Sequence, residues 1–210
     1  MEIDIFQDTV CPWCRIGKKN LTDALAKWTG EEVEIRYRSF QLDPTTPLEG
    51  KPFKANMESK FGNDPERLQG MFQRLKDAGA AVGLNFDYSR VERSPNTLKS
   101  HQLIVLAPED KKKDVVDAIY QAYFEDGRDI GSVDVLLEIA KEVGLAADGL
   151  AERLRAKEGL EQVEDDLEFA REVGITGVPF FIINDKYALT GAQPSSTILQ
   201  AMEQVVQKEG

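Results

Sequence analysis

The stretch Gln7-Asp8-Thr9-Val10-Cys11-Pro12-Trp13-Cys14 decides how the rest of the chain is read. Before it, Ile3 to Phe6 are β-prone, and after it apolar or small residues recur at Ile16, Leu21, Ala24, Leu25 and Trp28. The pattern is strand, turn, helix. Pro12 suits the first helical turn, because the N–H it lacks would be unpaired there anyway, so the helix starts at the cysteines. Gly30 is expected to stop it. Val33-Glu34-Ile35-Arg36-Tyr37-Arg38 then alternates apolar with charged side chains, the period-2 signature of a second strand. A short βαβ unit closes before Pro44.

The two cysteines are the only ones in 210 residues, and they lie three positions apart at this strand-to-helix turn. Three readings compete. A zinc site needs about four ligands, whereas the chain offers no further cysteine and a single histidine, His101. Two unrelated core thiols would leave their shared place beside a helix-starting proline unexplained. The third reading is a redox dithiol. At a helix N-terminus the unpaired N–H groups and the macrodipole favour an anion, so the Cys11 pKa can fall well below the free value of about 8.5. Cys11 is then the attacking sulfur, and Cys14, one turn on and more buried, resolves the mixed disulfide. Pro12 and Trp13, between the sulfurs, shape access to them, although Trp13 can equally be a packing residue.

From about Pro47 to Gly174 the pattern turns helical. Asp64 before Pro65 reads as an N-cap with proline at the first helical position, ahead of Leu68, Phe72 and Leu75. Ser94-Pro95 reads as the same device ahead of Leu98, Gln102 and Val105. Further helices are expected near Lys111 to Phe124, Val133 to Val143, Gly149 to Ala156 and Leu160 to Val173. The β signal returns in Phe180-Phe181-Ile182-Ile183, a turn at Asn184-Asp185-Lys186, and Tyr187-Ala188-Leu189-Thr190. A last helix carries Ile198, Leu199, Met202, Val205 and Val206 as its apolar stripe.

Composition narrows the function classes. With 26 Lys+Arg against 37 Asp+Glu the formal charge is −11, which makes the chain a poor phosphate binder and argues against nucleic acid as a partner. At 41% apolar and 30% charged residues it can bury a sizeable core. No apolar run approaches the roughly 20 residues that span a bilayer, so no membrane insertion is expected. Nothing at the N-terminus resembles a secretory signal, and the expected location is cytoplasmic.

A second signal is Gly174-Ile175-Thr176-Gly177-Val178-Pro179 ahead of a strand. Proline is tolerated as a strand's first residue, so alone it means little. Together with the cysteine pair it resembles the cis-proline loop that faces the dithiol in thioredoxin folds. Residues Cys11 to Gly17, Phe40-Gln41-Leu42-Asp43-Pro44, Asn96-Thr97 with His101, Gly127-Arg128-Asp129-Ile130 and Gly177 to Phe181 carry the resemblance further. Over essentially its whole length the chain resembles the DsbA-like branch of thioredoxin-fold oxidoreductases, and within it the FrnE-like subgroup.

The resemblance implies an α/β thioredoxin scaffold, residues 1–50 with 174–210, interrupted by an all-helical insertion at 51–173. It implies thiol–disulfide chemistry with Cys11, Cys14 and Pro179 as catalytic residues, and a cis Val178–Pro179 bond that leaves the Val178 backbone free to pair with an extended substrate. Pro12, Trp13 and Val178 are the expected substrate contacts. The expected partners are protein or small-molecule thiols and disulfides. No metal and no cofactor beyond the Cys11–Cys14 couple is expected, with glutathione as a candidate co-substrate. Arg15 departs from the aromatic or aliphatic residue of many relatives.

Other candidates weigh less. His101 lies among Leu98, Gln102 and Val105 and reads first as a packed, hydrogen-bonded histidine. Asp8 could shuttle a proton but would also oppose a thiolate. Arg15, Lys18 and Lys111-Lys112-Lys113 read as solvated faces. Asn20-Leu21-Thr22 matches a glycosylation sequon inside a helix and carries no functional reading. Two further functions stay open on this scaffold. One is a glutathione-dependent kappa-class transferase or hydroxychromene-carboxylate isomerase, which needs no resolving thiol. The other is a non-catalytic adaptor.

Overall fold

The computed structural model describes residues 1–209. In chain order the elements are β1 (Glu2–Gln7), α1 (Pro12–Leu25), β2 (Glu34–Ser39), β3 (Lys51–Pro52), α2 (Phe53–Phe61), α3 (Pro65–Ala80) and β4 (Arg93–Ser94). There follow α4 (Leu98–Leu106), α5 (Glu109–Phe124), α6 (Val133–Glu142), α7 (Leu150–Arg155), α8 (Leu160–Glu172), β5 (Phe180–Ile183), β6 (Tyr187–Thr190) and α9 (Ser195–Glu209). Two compact units result, Met1–Leu42 with Asp166–Gly210, and Asp43–Asp165. Among the described residues no helix is long and apolar enough to cross a membrane.

In the first unit a four-stranded sheet has the order β2-β1-β5-β6. β1 and β2 run parallel, with Ile3 opposite Ile35 and Phe6 opposite Arg38. β5 lies antiparallel to both β1 and β6. This βαβ unit joined to a ββα unit is the thioredoxin fold. Central β1 is buried on both faces, with Ile3 and Ile5 on one side and Asp4 and Phe6 on the other, so its polar residues are buried along with its apolar ones. On one face Ile3 and Ile5 join Phe181, Ile183, Leu21 and Ala24 of α1, and Ile198, Met202 and Val205 of α9. On the other, Phe6 packs with Ala170 of α8 and with Ile175.

The alternation in β2 has an outcome that its charged residues do not announce. Asp4 accepts from Arg36 Nε at 2.8 Å and Arg38 Nε at 2.9 Å. Arg38 Nη1 also donates to Asp166 at 3.0 Å, and Asp166 accepts the Ser39 N–H at 2.9 Å. Asp4 and Asp166 are buried, so the arginines close an ionic layer over one face of the sheet rather than facing open water.

Helix α1 ends at Leu25, before the expected Gly30. Lys27 and Trp28 donate to Ala24 and Leu25 carbonyls three residues back, which tightens the chain out of the α-helix.

In the second unit Asp64 caps α3, accepting from the Glu66 and Arg67 amides with Pro65 in the first turn, as its sequence predicts. The parallel reading of Ser94-Pro95 is corrected. Ser94 belongs to β4, opposite Lys51, because the residue before a proline is driven toward extended backbone. The helix begins only at Leu98, whose amide is taken by the Asn96 side chain at 3.0 Å. An aromatic cluster of Phe53, Phe72, Phe86, Tyr88 and Phe124 lies in this unit.

The unit boundaries fall at 42/43 and 165/166, earlier in both cases than the expected 50/51 and 173/174. The reason at the second boundary is visible in α8. Asp166 bonds β2, Ala170 enters the sheet core, and Phe169 stacks on Phe6 at 5.9 Å, so the end of this helix belongs to the sheet.

Candidate functional site

Where β1 ends, the Asp8 carbonyl accepts the Cys11 amide at 3.0 Å and turns the chain into α1. Cys11 is the N-cap residue, with extended backbone (φ −92°, ψ 112°) and Pro12 in the first turn. An N-cap side chain normally offers an oxygen to the helix's unpaired amides. Here sulfur takes that role, and Cys11 Sγ accepts from the Cys14 N–H at 3.3 Å. Both cysteines are free thiols, Cys11 at 3% and Cys14 at 0% exposure.

Burial pushes the Cys14 thiol well above its ordinary pKa, and the hydrogen bond and charge of Cys11 push it further the same way. The negative charge of Asp8 adds to this, while a hydrogen bond from its backbone opposes it. The Asp8 side chain is itself buried and accepts the Leu42 amide at 2.8 Å.

The Val178–Pro179 loop reaches the same place from the far end of the sequence. Its peptide bond is cis, as expected, and Cys11 Sγ lies 3.7 Å from the Val178 carbonyl oxygen, to which the thiol donates. The Pro179 carbonyl accepts the Gly191 amide at 2.8 Å, which ties the loop to the segment after β6. Trp13 is 46% exposed, an open aromatic surface beside a buried sulfur, so simple packing does not account for it.

The structure thus joins Cys11, Cys14, Val178 and Pro179, with Pro12 and Trp13 at the helix start. Two expectations are corrected. Arg15 and Lys18 are buried rather than a solvated face, and the Lys18 ammonium lies 5.9 Å from the Tyr37 ring centroid. Asn20 is buried and bonded, so its sequon match has a packing explanation. His101 is buried in α4 of the other unit, in line with the packed reading. Among the described residues no group of His, Cys, Asp and Glu side chains is arranged to hold a metal ion. A pocket of about 340 Å³ in the second unit, lined by Phe53, Met57, Leu68, Phe72, Tyr88 and Val91, contains none of the sequence-predicted site residues.

A thioredoxin fold with a capping cysteine at the start of α1 and a proline loop against it defines a thioredoxin-like protein of the DsbA type. The chain belongs to the DSBA-like thioredoxin domain family, which it matches over residues 2–203. It is similar to a probable DsbA oxidoreductase from Streptomyces coelicolor, with 32% identity, a TM-score of 0.88, and 97% of this chain and 89% of that one covered. It shares its fold with a 2-hydroxychromene-2-carboxylate isomerase at a TM-score of 0.75 and 14% identity, covering 100% of this chain and 98% of that one. It shares it also with the cytosolic disulfide reductase DsbM from Pseudomonas aeruginosa, solved with GSH, at a TM-score of 0.66 and 22% identity, covering 97% and 100%. One fold therefore carries both redox and isomerase chemistry, and the reaction has to be argued from the site.

Proposed function

We propose that this chain is a cytoplasmic thiol–disulfide oxidoreductase in which Cys11 is the nucleophile and Cys14 the resolving thiol. The observation that carries the reading is the Cys11 sulfur acting as helix cap, accepting the Cys14 amide at 3.3 Å while its partner thiol lies one turn behind it. The cap position leaves this sulfur at the helix start, beside the Val178 carbonyl and ahead of the Cys14 thiol. A single-thiol glutathione enzyme would have no use for the second sulfur.

The Cys11 thiolate attacks one sulfur of a substrate disulfide. A Cys11–substrate S–S bond forms, the substrate S–S bond breaks, and the second substrate sulfur leaves as thiolate and takes up a proton. Cys14 then gives up its proton and attacks Cys11. The internal Cys11–Cys14 bond forms, the remaining substrate thiol departs, and two electrons have passed from the dithiol to the substrate. Two molecules of a thiol such as glutathione return the dithiol by the same steps in reverse, the first forming a mixed disulfide with Cys11 and the second displacing Cys11 as the two leave as one disulfide. Burial holds the Cys14 thiol above its ordinary pKa, which favours Cys11 rather than Cys14 for the first attack. Val178 and Pro179 supply the backbone against which the substrate lies, with Pro12 and Trp13 flanking the sulfur.

The test is dithiothreitol-driven reduction of insulin by the purified protein. Cys11→Ser is expected to fall to the uncatalysed rate, and Cys14→Ser to stop at a trapped mixed disulfide visible by mass spectrometry. Unchanged turnover in Cys11→Ser overturns the proposal. Full activity of Cys14→Ser, together with tight glutathione binding, replaces it with single-thiol chemistry.

A further inference from the structure

Gly17 and Asn20 lie three residues apart on α1, and both engage the segments that hold the Val178–Pro179 loop. A Cβ on Gly17 would stand 2.7 Å from Pro179 Cγ and 3.3 Å from Pro179 Cβ, with Phe181 Cζ at 3.4 Å. The proline ring therefore rests on the bare backbone of the helix, at a separation that no side chain permits. Glycine weakens a helix interior relative to alanine, so its place here has to be explained by what it touches. One turn later the Asn20 side-chain amide donates to the Gln193 carbonyl at 2.9 Å. Gln193 N–H donates to Gly191 O at 2.9 Å, and Gly191 N–H to Pro179 O at 2.8 Å. A ring contact and a hydrogen-bond chain thus fasten one helix face to one loop.

We propose that Gly17 and Asn20 are positioning residues that seat this loop on α1, and so hold the Val178 carbonyl at its 3.7 Å distance from Cys11 Sγ for capture of an extended substrate segment. The inference rests on the oxidoreductase reading for its consequence, but the seating itself does not. Gly17 sets how closely the loop approaches. Asn20, acting through Gln193 and Gly191, sets where along the helix it sits. Neither residue touches the reacting sulfurs.

Gly17→Ala and Asn20→Ala test this in the full chain. The first forces Pro179 away, and the second removes the donor without adding bulk. In insulin reduction both variants are expected to lose about tenfold or more in kcat/KM, through KM rather than kcat, because the loop orients substrate instead of reacting with it. Alkylation of Cys11 by iodoacetamide, which needs no loop, stays within about twofold of wild type. Amide hydrogen exchange at Gly191 accelerates in both variants. Unchanged KM and unchanged Gly191 exchange overturn the proposal, as does a slowing of alkylation equal to the loss in turnover. If Gly17→Ala fails to fold, Asn20→Ala carries the test alone. If wild type shows no Cys11-dependent turnover, the oxidoreductase reading fails, and Gly191 exchange still decides whether the pair seats the loop.

Discussion

On the sheet face covered by α1 and α9, Ile3, Ile5, Phe181 and Ile183 pack into an apolar cluster. On the face covered by α8, the same central strand sets Asp4 among Arg36, Arg38 and Asp166, next to the smaller apolar group around Phe6. The apolar face supplies burial, which is non-directional and tolerant of small shifts. The ionic face supplies geometry, since a slip of β2 by one residue would turn both arginines away from Asp4. The dithiol lies where the shared strand hands over to α1, so its placement depends on the two faces together.

The largest way to break this comparison is Met202→Ala, which opens a cavity in the apolar face. It should cost about 2 to 5 kcal/mol in urea denaturation, and a loss under about 1 kcal/mol would show that this face is not the main source of stability. Asp166→Ala strips the Ser39 amide and Arg38 of a buried acceptor, and should cost about 1 to 3 kcal/mol. If it proves as damaging as Met202→Ala, the ionic layer is a second core rather than a register device.

The smallest effect sharpens the contrast with pH. Because burial holds the Cys14 pKa of the folded protein above its unfolded value, the folded state keeps the proton longer. Stability of the reduced protein is therefore complete below the unfolded thiol pKa of about 8.5, and is lost with rising pH by up to about 1.4 kcal/mol per unit. Denaturation of the reduced protein between about pH 7 and about pH 10 should show this decline, and Cys14→Ser should lack it. Equal slopes in the two proteins would remove Cys14 as its source.

The features legible in the sequence were those made by local chemistry. The cysteine pair beside Pro12, the Asp64-Pro65 cap, and the β5 and β6 strands each state their conformation within a few residues. Contacts between distant segments were not legible. Arg36 and Arg38 alternate like an outward face, and only the partners Asp4 and Asp166 reveal otherwise. The two-residue strands β3 and β4 are too short to show a period, and α2 has no side-chain cap to mark its start. For the site, both sulfurs and Val178–Pro179 were visible. Gly17 was visible only as a glycine in a helix, which is a cue without an address until Pro179 is seen against it.

The central strand pairs on one side with residues 34–39 and on the other with residues 180–183. During synthesis residues 34–39 follow the cysteine turn closely, but residues 180–183, the other neighbour of the central strand, come only after the whole intervening segment has been made. The two thiols therefore wait through the synthesis of that segment before they reach their mature surroundings, and the assembled site belongs to a later event than the making of its cysteines.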